Sequence, residues 1–286
     1  MGGGAWSTTS YTTSVSSKGF ATLDAMAYAN VQDVYESRKL DPVLNPYKVI
    51  RECCDSEEHP ETLPIILALD VTGSMGAAAT ATAAELDDIM TELYKSAKDV
   101  EFMTMGIGDL AYDNAPIQAT QFESDVRIFD QTTKIYFEGG GGSNYFESYT
   151  AAWYFGLHNT KLDCWKRGKK GIIITMGDEP LNPYLPGNKL SDVLGINTQD
   201  VDTEDLYEAV CEKFDVYHIA IDDNRNCYRR YKKDVDKTWG DLLGQHYMIS
   251  TLDDLPQTIA AIVEDHMGYM PSDVGSVTVT EEGISW

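Results

Sequence analysis

The chain has 286 residues, 43% of them hydrophobic, which is enough to bury a sizeable core. Acidic residues outnumber basic ones by 46 to 22, and the resulting net charge of −24 argues against binding to nucleic-acid phosphates. No apolar stretch approaches the ~20 residues that span a bilayer, and the amino terminus lacks the features of a secretory signal. The five cysteines form no Cys-x-x-Cys pair, which favours reduced thiols over a zinc site. We therefore expect an acidic, globular, cytoplasmic protein without nucleic-acid or membrane partners.

The amino-terminal part of the chain, residues 1–62, is predicted to be an arm and a helical lead-in. Residues 1–19 are rich in Gly, Ser and Thr, which is typical of a flexible arm. Residues 21–35 are predicted to form a helix. The arm either packs back on the rest of the protein or contacts another subunit, and the sequence does not choose between these alternatives.

Residues 63–267 show strands that alternate with helices, the pattern of a doubly wound, Rossmann-like, mostly parallel α/β sheet. Strands are predicted at residues 64–70, 100–107, 116–122, 172–175, 216–221 and 247–250. Helices are predicted at residues 77–97, 125–136, 149–158, 203–214, 239–243 and 252–266. About six strands and six helices indicate one large domain. Residues 268–286 are then a carboxy-terminal tail, which suits an added strand or a binding segment.

The end of the first predicted strand carries a cluster of oxygen-bearing side chains. Asp70, Thr72 and Ser74 follow an apolar run, and Gly76 then leads into an Ala-rich helix. Ligands of open parallel sheets bind outside the carboxyl ends of the strands, so these side chains can converge on one ion. Hard oxygen ligands suit Mg²⁺ or Mn²⁺. An ordinary loop or helix cap of the same composition is the alternative at this point.

Two later segments have comparable chemistry. The apolar run at residues 171–175 is followed by Asp178, the first carboxylate past that strand. Between the two strand ends lies a run of four glycines, residues 139–142, followed by Ser143, Asn144 and Glu147. Glycine allows the backbone to approach a bound group closely, although four glycines also suit a flexible hinge.

The Asp70-x-Thr72-x-Ser74 pattern resembles the metal-ion-dependent adhesion site (MIDAS) of von Willebrand factor A-type (vWA) domains, usually Asp-x-Ser-x-Ser. The resemblance implies a vWA fold for residues 63–267. It identifies Asp178 with the distal aspartate of the family and Ser143 with a hydroxyl that the family presents from a Gly-rich loop.

Three further residues are secondary candidates for the same site. Asn144 and Glu147 compete with Ser143 for the position on the glycine-rich loop. Asp109 follows the strand predicted to lie beside the first one, so it can accept hydrogen bonds from the groups that hold the ion.

The resemblance implies a metal-dependent protein-interaction module of the intracellular bacterial or phage kind, and no enzymatic activity. Asp70 and Asp178 would hold Mg²⁺, or Mn²⁺ or Ca²⁺, and Thr72, Ser74 and Ser143 would complete the shell. Few anionic ligands leave the ion able to recruit an Asp or Glu of a partner protein. Among partners, the resemblance suggests a ring-forming ATPase.

Two alternative functions remain at the level of sequence. A phosphatase or phosphotransferase of the haloacid-dehalogenase type would use Asp70 as its nucleophile beside Mg²⁺. That family typically carries a second Asp two residues later, where this chain has Thr72. The other alternative is a structural or assembly protein whose metal site is vestigial.

Overall fold

A six-stranded sheet forms the centre of the protein in a computed structural model that describes residues 4–97, 99–139 and 146–268. The strands in these residues are β1 (Arg51–Cys53), β2 (Leu63–Asp70), β3 (Val100–Ile107), β4 (Ile117–Ala119), β5 (Thr160–Leu162), β6 (Gly171–Gly177), β7 (Tyr184–Leu185), β8 (Val201–Asp202), β9 (Phe214–Ile221) and β10 (Tyr247–Ser250). The α-helices are α1 (Thr8–Ser17), α2 (Leu23–Ala27), α3 (Val31–Val34), α4 (Gly76–Ala84), α5 (Leu86–Ser96), α6 (Arg127–Thr132), α7 (Thr150–His158), α8 (Gly187–Leu194), α9 (Thr203–Cys211), α10 (Tyr228–Leu243) and α11 (Leu255–His266).

The main sheet has the strand order β10-β9-β6-β2-β3-β4, and every pair is parallel except β3 with β4. When its strands are numbered along the chain, this is the 3-2-1-4-5-6 order of doubly wound folds. The predicted fold class, an α/β protein with a mostly parallel six-stranded sheet, is confirmed. The strand order reverses between β2 and β6, so a ligand crevice is expected at the carboxyl ends of these two strands.

Helices cover both faces of this sheet, which explains why its central strands β2, β3 and β6 are buried along almost their whole length and are mostly apolar. Alternate residues of β2 point to opposite sides. Ile65 and Leu67 pack with α4, α5, α11 and the amino-terminal lead-in, and Ile66 and Ala68 pack with α7, α9 and α10.

Helix boundaries are where the sequence-based predictions differ most from the structure. The helix predicted at residues 77–97 is two helices, α4 and α5, because the chain leaves helical geometry at Glu85. The one predicted at residues 125–136 is shortened to α6, since the side chain of Gln118 hydrogen-bonds both backbone polar groups of Tyr136.

Two other differences concern elements that were predicted too short or missed. The helix predicted at residues 239–243 is the last part of the longer α10, whose buried residues recur at helical spacing: Tyr228, Val235, Trp239 and Leu243. Two small two-stranded sheets, β1 with β5 and β7 with β8, were not predicted. Their strands have only two or three residues each, too few to show a period.

Residues 8–17, which were predicted to belong to a flexible arm, form the helix α1 instead. Ser7 caps α1 by accepting a hydrogen bond from the backbone of Ser10, and Tyr11 and Val15 point from one side of the helix into the core. The hydroxyl of Tyr11 donates to the carbonyls of Ala83 at 2.6 Å and Ala84 at 2.9 Å, which satisfies acceptors at the end of α4.

The rest of the lead-in also packs on the sheet domain. Instead of one helix at residues 21–35, the chain forms α2 and α3, and α2 lies against α4. The arm therefore packs back on its own domain. The strand suggested for the tail falls outside the described residues.

The packing of α1 predicts that Tyr11→Ala lowers the free energy of unfolding by about 3–5 kcal/mol, because a buried aromatic ring and its hydrogen bonds are lost. Thr9→Ala, on the exposed side of the same helix, is the matched control and should change that energy by less than about 0.5 kcal/mol. Urea denaturation measures both values. Equally small effects in the two variants would contradict the packing of α1.

Candidate metal centre

Two carboxylates meet at the point where the strand order reverses. Asp70 is the last residue of β2, and Asp178 directly follows β6, the neighbouring strand. Their side chains are 1% and 0% exposed. Buried carboxylates are rare without a partner, so this junction is the first place to look for a bound group.

Hydrogen bonds connect these carboxylates through the loop after β2. The backbone N–H of Thr72 donates to Asp70 Oδ1 at 2.8 Å, and the Thr72 hydroxyl donates to the same oxygen at 2.5 Å. Ser74 Oγ lies 3.5 Å from Thr72 Oγ1 and donates to Asp178 Oδ1 at 3.2 Å. The structure thus brings Asp70, Thr72, Ser74 and Asp178 into one cluster. Ser143, the fifth predicted ligand, lies outside the described residues, as does Asn144.

Tyr149 is a member of this cluster that the sequence analysis missed. It lies at the start of α7, is fully buried, and donates its hydroxyl to Asp70 Oδ2 at 2.7 Å. Burial, followed by the charge of Asp70, raises the pKa of Tyr149 well above its ordinary value, so the hydroxyl keeps its proton and acts as donor. Aromatic residues at the start of a buried helix usually belong to the core, so no sequence signal indicated this contact.

Gly177, the last residue of β6, leaves the space that Tyr149 occupies. A Cβ atom at this position would lie 2.2 Å from the Tyr149 hydroxyl. Only glycine leaves room for Tyr149 to reach Asp70, and the carboxylate of Asp178 follows one residue later.

The start of α10 holds the second carboxylate. The backbone N–H of Cys227, which caps this helix, donates to Asp178 Oδ2 at 2.6 Å. A helix amino terminus carries partial positive charge and stabilises an anion beside it. Both oxygens of Asp178 are therefore hydrogen-bonded, one by Ser74 and one by Cys227.

The secondary candidates Glu147 and Asp109 add two buried carboxylates on the other side of Asp70. Each is 2% exposed. Asp109 Oδ1 accepts from the backbone of Ala111 at 2.7 Å, whereas Asp109 Oδ2 and Glu147 Oε2 have no hydrogen-bond partner among the described residues. Buried oxygens without a partner in a native structure call for an ion or water.

Burial, with a smaller contribution from neighbouring charges, raises the pKa values of the carboxyl groups in this cluster. Burial, and then the charge of Asp178, raises the pKa of Asp70 to about 8. Burial, and then the charge of Asp70, raises the pKa of Glu147 to about 11, while burial and Asp178 raise that of Glu179 to about 7. Burial also raises the pKa of Asp178. The groups present here would all be stabilised by a positive charge.

The donor set fits a hard divalent cation. In the described part of the chain, no three His, Cys, Asp or Glu side chains are grouped so as to hold a metal by themselves. An ion between Asp70 and Asp178 would need the hydroxyls of Thr72 and Ser74 as further ligands. Each of these hydroxyls donates its proton to a carboxylate, so the lone pairs of its oxygen can face the ion. All-oxygen ligands suit Mg²⁺, Mn²⁺ or Ca²⁺.

No family model matches the sequence, and no curated protein matches it. Solved structures with a similar backbone include the pilus adhesin SpaC from Lactobacillus rhamnosus GG in its open conformation, at 12% identity and a TM-score of 0.47, covering 72% of this chain and 30% of that one. Proximal thread matrix protein 1 from the mussel byssus matches at 12% identity and a TM-score of 0.46, covering 77% of this chain and 49% of that one. The vWF domain of the type V pili tip protein Mfa5 from Porphyromonas gingivalis matches at 10% identity and a TM-score of 0.43, covering 75% and 98%.

These similarities are low, and the chain spans less than half the length of SpaC and of the byssus protein. The fold class stands on the strand order itself. Among the described residues, no helix combines the length and the apolar character needed to cross a membrane.

The raised pKa of Asp70, about 8 against an ordinary 3.8, predicts how a cation changes stability with pH. Its carboxyl binds a proton more tightly in the folded protein than in the unfolded chain, so its contribution to stability is full below the unfolded pKa and is lost as pH rises towards about 8. A cation replaces the proton. The increase in melting temperature caused by Mg²⁺ should therefore be larger near pH 8 than near pH 6.

Thermal unfolding with MgCl₂ and with a chelator at both pH values measures this difference. Asp70→Asn is the control, because it removes the buried charge and keeps the shape of the side chain. It should abolish the response to Mg²⁺ without lowering the stability of the metal-free protein near pH 8. A response that is equal at both pH values, or that persists in the variant, would count against Asp70 as a ligand.

Gly177→Ala should push Tyr149 away from Asp70, cost about 1–3 kcal/mol of stability, and reduce the Mg²⁺-dependent rise in melting temperature. Gly240→Ala is a matched control in α10, where the nearest atom to an added Cβ is 3.9 Å away. It should leave the response to Mg²⁺ unchanged and be neutral or slightly stabilising. An undiminished response in Gly177→Ala would refute the role assigned to Tyr149.

Proposed function

We propose that this protein is a vWA-type, metal-dependent interaction module that recruits a carboxylate of a partner protein. The observation that carries the proposal is the cluster of Asp70, Thr72, Ser74 and Asp178 at the reversal of strand order. Asp70, Thr72 and Ser74 correspond to the Asp-x-Ser-x-Ser motif of the family with Thr in place of the first Ser, and Asp178 corresponds to its distal aspartate. The cluster combines few carboxylates with neutral hydroxyls, which leaves a bound cation able to attract a further anion.

The cation would be Mg²⁺ or Mn²⁺, with Ca²⁺ as a third candidate, and it would supply an electrophilic position for the partner's Asp or Glu. Ser74 is partly exposed, whereas Asp70 and Thr72 are buried, so the approach for a partner lies on the Ser74 side. Ser143 is the proposed contributor from the glycine-rich loop, with Asn144 and Glu147 as the alternatives for the same position. The resemblance makes a ring-forming ATPase the first class of partner to test.

The structure offers no support for phosphoryl transfer by Asp70. Both oxygens of this carboxylate accept hydrogen bonds, and the side chain is 1% exposed, so an oxygen is poorly available for attack on phosphorus. Haloacid dehalogenases carry an acid at the position of Thr72. Here the Thr72 hydroxyl donates a hydrogen bond to Asp70 itself. We therefore propose that the protein is not an enzyme.

Other features support a cytoplasmic protein that acts on proteins. All five cysteines are free, and Cys53 and Cys164 are buried. The net charge of −24 supports the absence of nucleic-acid partners. The alternative of a structural protein with a vestigial site keeps the same fold and differs only in its indifference to metal.

The proposal predicts that chelator-stripped protein binds Mg²⁺ and then binds the peptide acetyl-Gly-Asp-Gly-amide, measured by calorimetry. The Asn analogue of the peptide should not bind. Ser74→Ala should weaken Mg²⁺ binding, whereas Ser17→Ala, an exposed hydroxyl in α1, should not. The same samples should not hydrolyse p-nitrophenyl phosphate.

Each other outcome has a definite meaning. Phosphate release that depends on Asp70 would establish an enzyme instead. Absence of Mg²⁺, Mn²⁺ and Ca²⁺ binding would leave the vestigial alternative. Ser143→Ala, Asn144→Ala and Glu147→Gln, compared in the same titration, rank the candidates on the glycine-rich loop.

A further inference from the structure

Arg230 differs from the other arginines of this chain in what its side chain contacts. Four of the seven arginines form ion pairs with carboxylates: Arg127, Arg167, Arg225 and Arg229. Arg38 and Arg51 donate to backbone carbonyls. Within the described residues, the guanidinium of Arg230 makes neither an ion pair nor a hydrogen bond, and it lies 5.2 Å from the centre of the Tyr231 ring. Arg230 is thus the one described arginine whose guanidinium has neither a carboxylate nor a carbonyl partner, in a protein of net charge −24.

Arg230 belongs to the helix turn that contacts the candidate metal centre. It lies in the first turn of α10, three residues after Cys227, whose backbone N–H holds Asp178. Three residues correspond to a rise of about 4.5 Å along a helix, less than the length of an arginine side chain. Arg230 is exposed, as expected for a group that meets a partner from solution.

Neighbouring arginines do not offer the same possibility. Asp223 holds Arg225 through two parallel hydrogen bonds of 2.8 Å, and Asp222 binds Arg229 at 2.5 Å. Their charges are balanced by aspartates of the loop before α10. Of the three arginines around the start of α10, Arg230 is the one without a carboxylate partner among the described residues, and a guanidinium matches the planar geometry of a carboxylate.

We infer that Arg230 is a second anion contact of the partner site, so that the partner segment carries two carboxylates, one for the cation and one for Arg230. This inference rests on the proposed function. The partner is then an acidic, extended segment of a protein. Cation and guanidinium together supply positive charge at short range, while salt screens the more distant acidic groups of the protein.

The test uses defined peptides in the presence of saturating MgCl₂. One peptide carries a single aspartate, and three others carry two aspartates separated by one, two or three glycines, which span distances in steps of about 3.3 Å. At one spacing the second aspartate should increase affinity about two- to fivefold, as is usual for an exposed charge pair. The gain should shrink as NaCl is added.

Two variants show whether Arg230 is responsible. Arg230→Gln should remove the gain and leave the affinity for the one-aspartate peptide nearly unchanged. Lys233→Gln, an exposed positive charge three residues later in α10, is the matched control and should keep the gain.

The outcomes separate this inference from the proposed function. Mg²⁺-dependent binding of the one-aspartate peptide, without a gain from the second aspartate at any spacing, would overturn the role of Arg230 alone. A gain that survives in Arg230→Gln would do the same. Failure of every peptide to bind with Mg²⁺ would overturn the proposed function, and the inference with it.

Discussion

The burial of several carboxyl groups side by side at the junction of β2 and β6 is the constraint on which the rest of the site depends. Burial raises the pKa of Asp70 to about 8 and that of Glu147 to about 11, and further acidic groups lie close by. The hydrogen bonds from Thr72, Tyr149 and Cys227 orient the anions without supplying a full positive charge. A divalent cation is the simplest way to stabilise such an arrangement at neutral pH.

The surrounding elements can be understood as the means of holding these groups in place. The sheet delivers Asp70 and Asp178 side by side, α7 brings Tyr149 over the glycine at position 177, and α10 begins where its first backbone donors meet Asp178. The lead-in packs on α4, the helix that follows the loop of Thr72 and Ser74, and so fixes this loop from outside. Packed helices and strands of this kind would hold oxygen ligands of a metal site in accurate positions.

Site residues that are neighbours in the chain, or that come directly after a buried strand, could be predicted from the sequence. Asp70, Thr72 and Ser74 are adjacent in the chain, and Asp178 follows an unmistakable buried strand, so these four positions needed only the rules for parallel sheets. Tyr149 was missed because its partner is 79 residues away. The helix α1 was missed because its Ser and Thr residues mask the few apolar positions that hold it. Contacts across the fold, unlike periodicity, leave no local signal in one sequence.

Anomalous diffraction from crystals grown with Mn²⁺ tests the central claim most directly, because it locates the ion independently of any effect on stability. The account predicts one strong peak between Asp70 and Asp178, in contact with the hydroxyls of Thr72 and Ser74. The peak should be absent from crystals of Asp70→Asn grown in the same way. A well-ordered cluster without a peak at saturating Mn²⁺, or a peak elsewhere on the molecule, would contradict the account.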